Sequence, residues 1–159
     1  MPRPRNALLD GIIGGLIGTA LQTLVMWAGQ RLHLLGAFPP KRITQRALAK
    51  LGRPPQDQTS QFLLTALLHL GFGMSAGAIF GLLARPLRLP WGRPLGGILF
   101  GTLVWVVSYF GWVPALRLMP EPQHDHPSTR PLVMLFNHWV YGFTLGAVVD
   151  WLQRSSHAS

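Results

Sequence analysis

His69–Ala78 reads HLGFGMSAGA, and His138–Ala147 reads HWVYGFTLGA. Each stretch opens on a His and runs through an aromatic residue (Phe72, Tyr141), a Gly (Gly73, Gly142), a bulky apolar residue (Met74, Phe143) and a small hydroxyl residue (Ser75, Thr144). Each closes on Gly-Ala, at Gly77-Ala78 and Gly146-Ala147. At helical spacing His69, Gly73 and Gly77 share one face, and so do His138, Gly142 and Gly146. The flanks are apolar on every side. A helix that is apolar all round and carries small residues four apart packs against another helix in lipid, where close backbone approach rather than apolar burial drives association.

Working outward, the chain holds four apolar runs of about the 20 residues that cross a bilayer. They span residues 8–27, 62–83, 95–113 and 132–151, and none contains Lys or Arg. The only acids in them are Asp10 and Asp150, each near an end, where they either pair with interfacial Arg or, the favoured reading, stand as ordinary terminal residues. In hydrocarbon the backbone must satisfy its own hydrogen bonds, so these runs are helices. The first reads as a retained helix rather than a cleaved leader: it is long, interrupted by Asp10 and Gln22, and lacks a small-x-small cleavage site. Trp27, Trp91, Trp112 and Trp151 mark the membrane–water boundaries, whereas Trp105 and Trp139 lie deeper and are expected to pack between helices.

Composition agrees. Of 159 residues, 48% are hydrophobic and 12% charged, about half the usual charged share. Mean hydropathy is +0.28. The formal charge of +9 falls on residues that flank apolar runs, at the level of lipid headgroups, and makes no separate basic face for nucleic acid. With no Cys, disulfides, thiolate metal sites, iron–sulfur clusters and Cys nucleophiles are excluded. No Ser/His/Asp order, phosphate loop or zinc-protease motif is present, so no catalytic residues are assigned and no enzymatic activity is expected.

Between the first two spans lies PPKRITQRALAKLG, residues 39–52. Pro39-Pro40 suits a helix start and Gly52 a helix stop. Ile43, Ala47, Leu48 and Leu51 form an apolar face, and Arg42, Arg46 and Lys50 form a basic one. The segment at residues 40–51 reads as an amphipathic helix on the membrane surface. Its basic face either recognises anionic lipid or merely positions a solvated loop. His124-Asp125-His126 could capture a metal weakly, but between Pro122 and Pro127 it reads rather as a solvated loop.

Small residues recur four apart in every span: Gly11/Gly15 and Gly14/Gly18, then Gly73/Gly77/Gly81, Gly97/Gly101 and Gly142/Gly146. The second and fourth spans are near copies. The first and third align loosely, Gly14-Leu16-Gly18-Thr19 against Gly97-Leu99-Gly101-Thr102. The expected fold is therefore all-α: one integral membrane domain over residues 1–159. It is a four-helix bundle made of two tandem hairpins in a parallel pseudo-repeat, with the short amphipathic surface helix added. Any glycine face unused within one chain would serve a homo-oligomer.

In this arrangement both imidazoles sit at similar depth, on the order of 10 Å into their spans at 1.5 Å per residue. Three readings of the pair stand open. His69 and His138 hydrogen-bond between helices and hold the bundle together. They handle protons, with Ser75, Ser108, Tyr109, Asn137, Tyr141 and Thr144 extending a polar path. Or they ligate a metal or haem, although no further strong ligand or haem-attachment motif accompanies them. No cofactor is assigned. Orientation is finely balanced, with six basic residues on the side of the termini (Arg3, Arg5, Arg85, Arg88, Arg93, Arg154) and eight on the other. The short acid-free loop around Arg85 favours both termini inside.

An N-terminal Gly-rich span, the Pro39-Pro40 pair, a His at the head of a Gly-rich second span (His69), a third span ending in Trp112 and Pro114, and a His near the start of the fourth (His138) form an architecture that resembles the YagU-like, DUF1440-type small bacterial inner-membrane proteins. The resemblance covers most of the chain as a pattern of elements. It implies an inner (plasma) membrane location, cytoplasmic termini, an association with envelope or acid-stress physiology, and no catalytic residues.

Overall fold

A computed structural model describes residues 6–53, 57–84 and 92–155. Among them there is no strand. Helix α1 (Ala7–Arg31) is capped by Asn6, whose side chain accepts from Leu8 N at 3.1 Å. Helix α2 (Pro39–Lys50) starts on its two prolines and stops at Gly52, whose φ of +66° suits a residue without a side chain. Helix α3 (Gln58–Ala84) follows Asp57, whose carboxylate accepts from Ser60 N at 2.7 Å. Helix α4 (Gly92–Val106) runs through a π-helical turn (Val107–Trp112) into the short α5 (Val113–Ala115), and α6 (Arg130–Ser155) closes the chain. Four segments are long and apolar enough to cross a membrane: Ala7–Arg31, Gln58–Ala84, Gly92–Ala115 and Arg130–Ser155. Each contains one of the expected spans and extends it by its polar flanks, which remain helical.

The third span departs from a plain α-helix for a local reason. Pro114 has no N–H for the carbonyl of Phe110, so the α-ladder fails there. Val113 N instead donates to Ser108 O, one residue further back than an α-bond, and Gly111 absorbs the distortion at φ −104°, ψ −109°.

Packing follows the glycines. Helix α1 lies against α3 and against α6, and α4 lies against α6, whereas α3 and α4 barely touch. A Cβ on Gly11 or Gly15 would strike the carbonyls of Gly77 and Gly73, and one on Gly97 or Gly101 would strike those of Gly142 and His138. Gly81 carries the α3 ridge one turn further: a Cβ there would strike the Ala7 carbonyl and come 2.9 Å from Gly11 Cα. The seam between α1 and α3 therefore runs from Gly73 through Gly77 to Gly81, up to the first residue of α1. Helix α1 also carries a second small face. A Cβ on Gly14 would come 2.8 Å from Leu145 Cδ1, and one on Gly18 2.9 Å from the Tyr141 carbonyl. The ridge 11/15 thus meets α3, and the ridge 14/18, one residue around the helix, meets α6.

These contacts correct the register of the internal repeat. Gly97 meets Gly142 and Gly146 as Gly15 meets Gly73 and Gly77. Gly97 is therefore the counterpart of Gly15, one residue away from the expected pairing with Gly14. The second copy of the ridge is also shorter. Gly81 follows Gly77 by four residues, whereas Asp150 stands four residues after Gly146. In the corrected register Phe100 stands where Gly18 stands. Gly18 lets α6 approach α1. Phe100 instead meets Phe80 ring to ring at 5.3 Å and props α4 away from α3. Two-fold symmetry is broken most at that seam, where α3 and α4 barely touch, and the interior opens there.

Three further expectations change. Trp139 lies on the outer surface of α6, although its Nε1 donates to Thr102 Oγ1 on α4 at 2.9 Å. Asp150 is paired rather than a plain terminal residue, accepting from Arg93 at 3.1 Å and Arg154 at 2.8 Å. The apolar face of α2 turns partly inward, with Ile43 and Ala47 packed on the cluster of Val113, Leu118 and Met119, while Leu51 stays exposed. Trp27 and Trp151 are exposed on the helix ends, and Arg31 lies 4.4 Å over the Trp27 ring. Trp91, Arg3, Arg5, Arg85 and Arg88 lie outside the described residues.

Candidate functional site

The opening between α3 and α4 continues inward as a chamber of about 450 Å³. Its roof is α2, through Pro39, Ile43, Thr44 and Ala47, with Leu118 and Met119 from the chain after α5. The floor is Thr19, Gly73 and Tyr141. Below them Ala76, Phe80, Leu145 and Val149 close the interior as a packed core. Leu68 and Phe72 line the chamber and are also exposed on the outer face of α3, and Phe72 reaches across to Trp112 at 6.0 Å. The side entrance therefore faces the space that lipid would fill.

None of the lining residues is an acid, a Lys or an Arg. The wall is mostly apolar, with a few polar groups. Both histidines are there. His138 donates from Nδ1 to the Met134 carbonyl one turn back on α6 at 2.7 Å, which in the neutral ring leaves Nε2 as an acceptor. His69 lies opposite on α3, and among the described residues its Nε2 is buried without a partner. One turn earlier on α3, the hydroxyl of Thr65 is also buried without a partner, and so is Nε2 of Gln61 a turn before that. Gln61, Thr65 and His69 make a stripe at four-residue spacing, of which Thr65 and His69 reach the chamber. From α1, Gln22 joins the wall, while the Thr19 hydroxyl is engaged with Gly15 O at 2.7 Å. At the floor Tyr141 donates to Gly73 O at 2.7 Å, tying α6 to α3.

The residues expected on a polar path divide. His69, His138, Ser108, Tyr109 and Tyr141 line the chamber, whereas Ser75, Thr144 and Asn137 do not. Helical geometry separates them. At about 100° per residue, Ser75 stands two positions and most of a half-turn away from Gly73, which faces α1, and Thr144 stands likewise from Gly142. Ser75 is exposed and donates to Gly71 O at 2.8 Å. Asn137 is fully buried outside the chamber, donating to Val133 O at 3.1 Å. Of the glycines expected to pack helices, Gly73 alone also lines the chamber. Gly77 and Gly81 continue its ridge beneath the floor, where they serve the seam with α1 and have no part in the site.

Tyr109 serves a second role. Its hydroxyl donates to Asp125 at 2.5 Å, and Asp125 forms an ion pair with Arg130. Arg130 is 1% exposed and also donates from Nε to Leu35 O at 2.6 Å. This buried knot fastens both connecting segments on this side to the head of α6. It corrects the reading of residues 124–126 as a solvated loop: Asp125 is buried, although His124 and His126 are exposed. Gly36 lies against the knot at φ +62°, a conformation that favours glycine, and a Cβ there would come 2.8 Å from Arg130 Nη2. Arg130 at the head of a span, five residues after an acid, was the available signal. Among the described residues no group of three or more His, Cys, Asp or Glu side chains is placed to hold a metal ion.

Residues 5–159 match a family of unknown function, DUF6789, and the chain belongs to it. This overturns the resemblance to the YagU-like, DUF1440-type proteins, for which the family match gives no support, and the acid-stress association implied by that resemblance falls with it. The shared features were a generic order of Gly-rich helices, which any tightly packed small membrane bundle can display. No curated protein and no solved structure matches the chain.

Proposed function

We propose that this member of a family without an assigned role is a membrane-embedded binding protein, not an enzyme, and that its chamber holds a lipophilic molecule entering from the bilayer between α3 and α4. The observation that carries this reading is the chamber itself. It has the volume of a small-molecule site, mostly apolar walls and a few polar groups on facing helices. Thr65 and His69 each keep a buried polar atom unpaired beside it, an arrangement that costs about 1–3 kcal/mol per group unless a partner is supplied. A ligand with hydrogen-bonding groups on an apolar body supplies that partner. The uncharged wall favours an uncharged body, because a charge there would be desolvated without compensation. We place the protein in a membrane as a multi-pass chain, which its four long apolar helices support, and the inner (plasma) membrane is the location this reading proposes.

Passage of protons or solutes past His69 and His138 is the rival reading. The packed floor argues for a dead-end site instead, since the glycine seams and the core beneath Tyr141 leave the chamber one-ended. The test is mass spectrometry of organic extracts from protein purified in mild detergent, comparing wild type with Val104→Trp, which fills the chamber from α4. A lipophile near one per chain in wild type, absent from a Val104→Trp protein of unchanged helix content, is the expected result. Equal recovery from both proteins, or from neither after incubation with membrane lipid extract, removes the proposal.

A further inference from the structure

Beside the chamber, on the same end of the molecule, lies a second hollow of about 320 Å³ lined by Arg42, Arg46, Arg117, Pro114, Met119, Pro120 and Glu121. Arg42 and Arg46 stand one turn apart on α2, and Arg117 comes from the chain leaving α5. Glu121 is the one acid in the lining. Its carboxylate is turned to Gln123 Nε2 at 2.5 Å and His124 Nδ1 at 3.7 Å, and among the described residues no ion pair joins it to any of the three arginines. Three arginines thus line one open hollow, Arg46 and Arg117 exposed and Arg42 half-buried, and among the described residues no ion pair joins any of them to a carboxylate, so their like charges favour an anion there. Lys50, expected on the same basic face, does not reach the hollow.

Arg117 is one of two non-glycine residues in the left-handed region among the described residues, the other being His33 at the end of α1, and of the two only Arg117 lines the hollow. The helical segment ends with Arg117 N donating to Pro114 O at 2.7 Å and Leu118 N donating to Val113 O at 2.9 Å. This pair of bonds normally places glycine in the left-handed position. Here an arginine occupies it, at φ +52°. A strained non-glycine residue at such a position points to a side chain that is needed there. Arg46 is likewise held, donating to Leu118 O at 3.3 Å.

We propose that Arg42, Arg46 and Arg117 form a phosphate-binding site that takes the headgroup of an anionic phospholipid. Guanidinium forks match phosphate oxygens in pairs, which makes arginine rather than lysine the suitable residue. The hollow is lined by Pro114, two residues after Trp112 at the end of the third span, and the end of a span is the level at which headgroups lie. A free phosphate ion has the same chemistry, so the experiment separates the two sources.

The full chain is placed in nanodiscs containing either phosphatidylglycerol or only phosphatidylcholine, and native mass spectrometry counts lipids retained after release from the disc. Retention of phosphatidylglycerol over phosphatidylcholine is expected. It should fall about fivefold for each arginine removed, and about a hundredfold for Arg42→Gln, Arg46→Gln and Arg117→Gly together. Arg117→Gly is the decisive variant. Glycine relieves the left-handed backbone, so its thermal midpoint should match or exceed wild type while lipid retention drops. Undiminished retention in a folded Arg117→Gly protein overturns the proposal, and so does equal retention of the two lipids. Displacement of the lipid by millimolar inorganic phosphate would assign the site to the free ion and overturn the lipid assignment. Resistance to such displacement supports it.

Discussion

Gly77→Ala should weaken the fold, while Gly71→Ala on the same helix should not. Both residues lie inside α3, where alanine is favoured over glycine by about 1 kcal/mol. At Gly71 the new methyl group meets nothing within 4 Å, so that preference is realised. At Gly77 the methyl group strikes the Gly11 carbonyl and comes 2.7 Å from Gly15 Cα and 3.0 Å from Gly15 N. These are backbone atoms that cannot rotate aside. Carbon atoms rest at about 3.5–4.0 Å, so α1 must withdraw by roughly 1 Å and loosen its contacts along the whole 11/15 ridge. Overpacking of this kind costs about 1–3 kcal/mol. Helix preference cancels between the two variants, so the full cost should appear as the difference in their stabilities. Reversible unfolding in mixed micelles, monitored by circular dichroism, measures it. A Gly77→Ala protein as stable as Gly71→Ala would show that α1 and α3 do not meet through these glycines.

Two further outcomes follow from the polar contacts. Arg130→Met or Asp125→Asn alone should cost about 3–5 kcal/mol, because each leaves a buried partner uncompensated, and the double variant should recover most of that loss in the same unfolding assay. Asp57 is held below the ordinary carboxylate range by the Ser60 N–H bond at the start of α3. A depressed folded pKa means that its stabilisation is complete above the unfolded value near 4 and is lost as pH falls through the folded value. The protection of the Ser60 N–H, measured as its exchange rate relative to the intrinsic rate at each pH, should therefore drop below that range in wild type and show no such drop in Asp57→Ala.

Much of the fold was legible because the bilayer simplifies it. Four apolar runs without Lys or Arg can only be helices in lipid, and glycines four apart mark the faces that touch. Both histidines could be placed inside for the same reason, since each shares a face with two such glycines. The chamber was not legible. It opens where α3 and α4 barely touch, beside the position at which Phe100 stands in the place of Gly18, and the one-residue register that reveals this difference emerges only from contacts between helices. Asp125 was hidden by its neighbours: a charged residue between exposed histidines in a proline-bounded loop reads as solvated, and only the approach of Tyr109 and Arg130 buries it. The π turn had its signal in Pro114, whose missing N–H forbids a regular ladder four residues earlier. Arg117 gave no signal, because a left-handed arginine is not written in composition or periodicity.

The two small-residue ridges of α1 bear on biogenesis. Of the four long helices α1 leaves the ribosome first and α6 last, yet the 14/18 ridge is covered by α6 alone. While the middle of the chain is being made, α1 can dock on α3 but stands in the bilayer with that other flank bare. The nascent protein is thus adhesive until synthesis of the final helix finishes, and a neighbour with a matching groove has that interval in which to take α6's place.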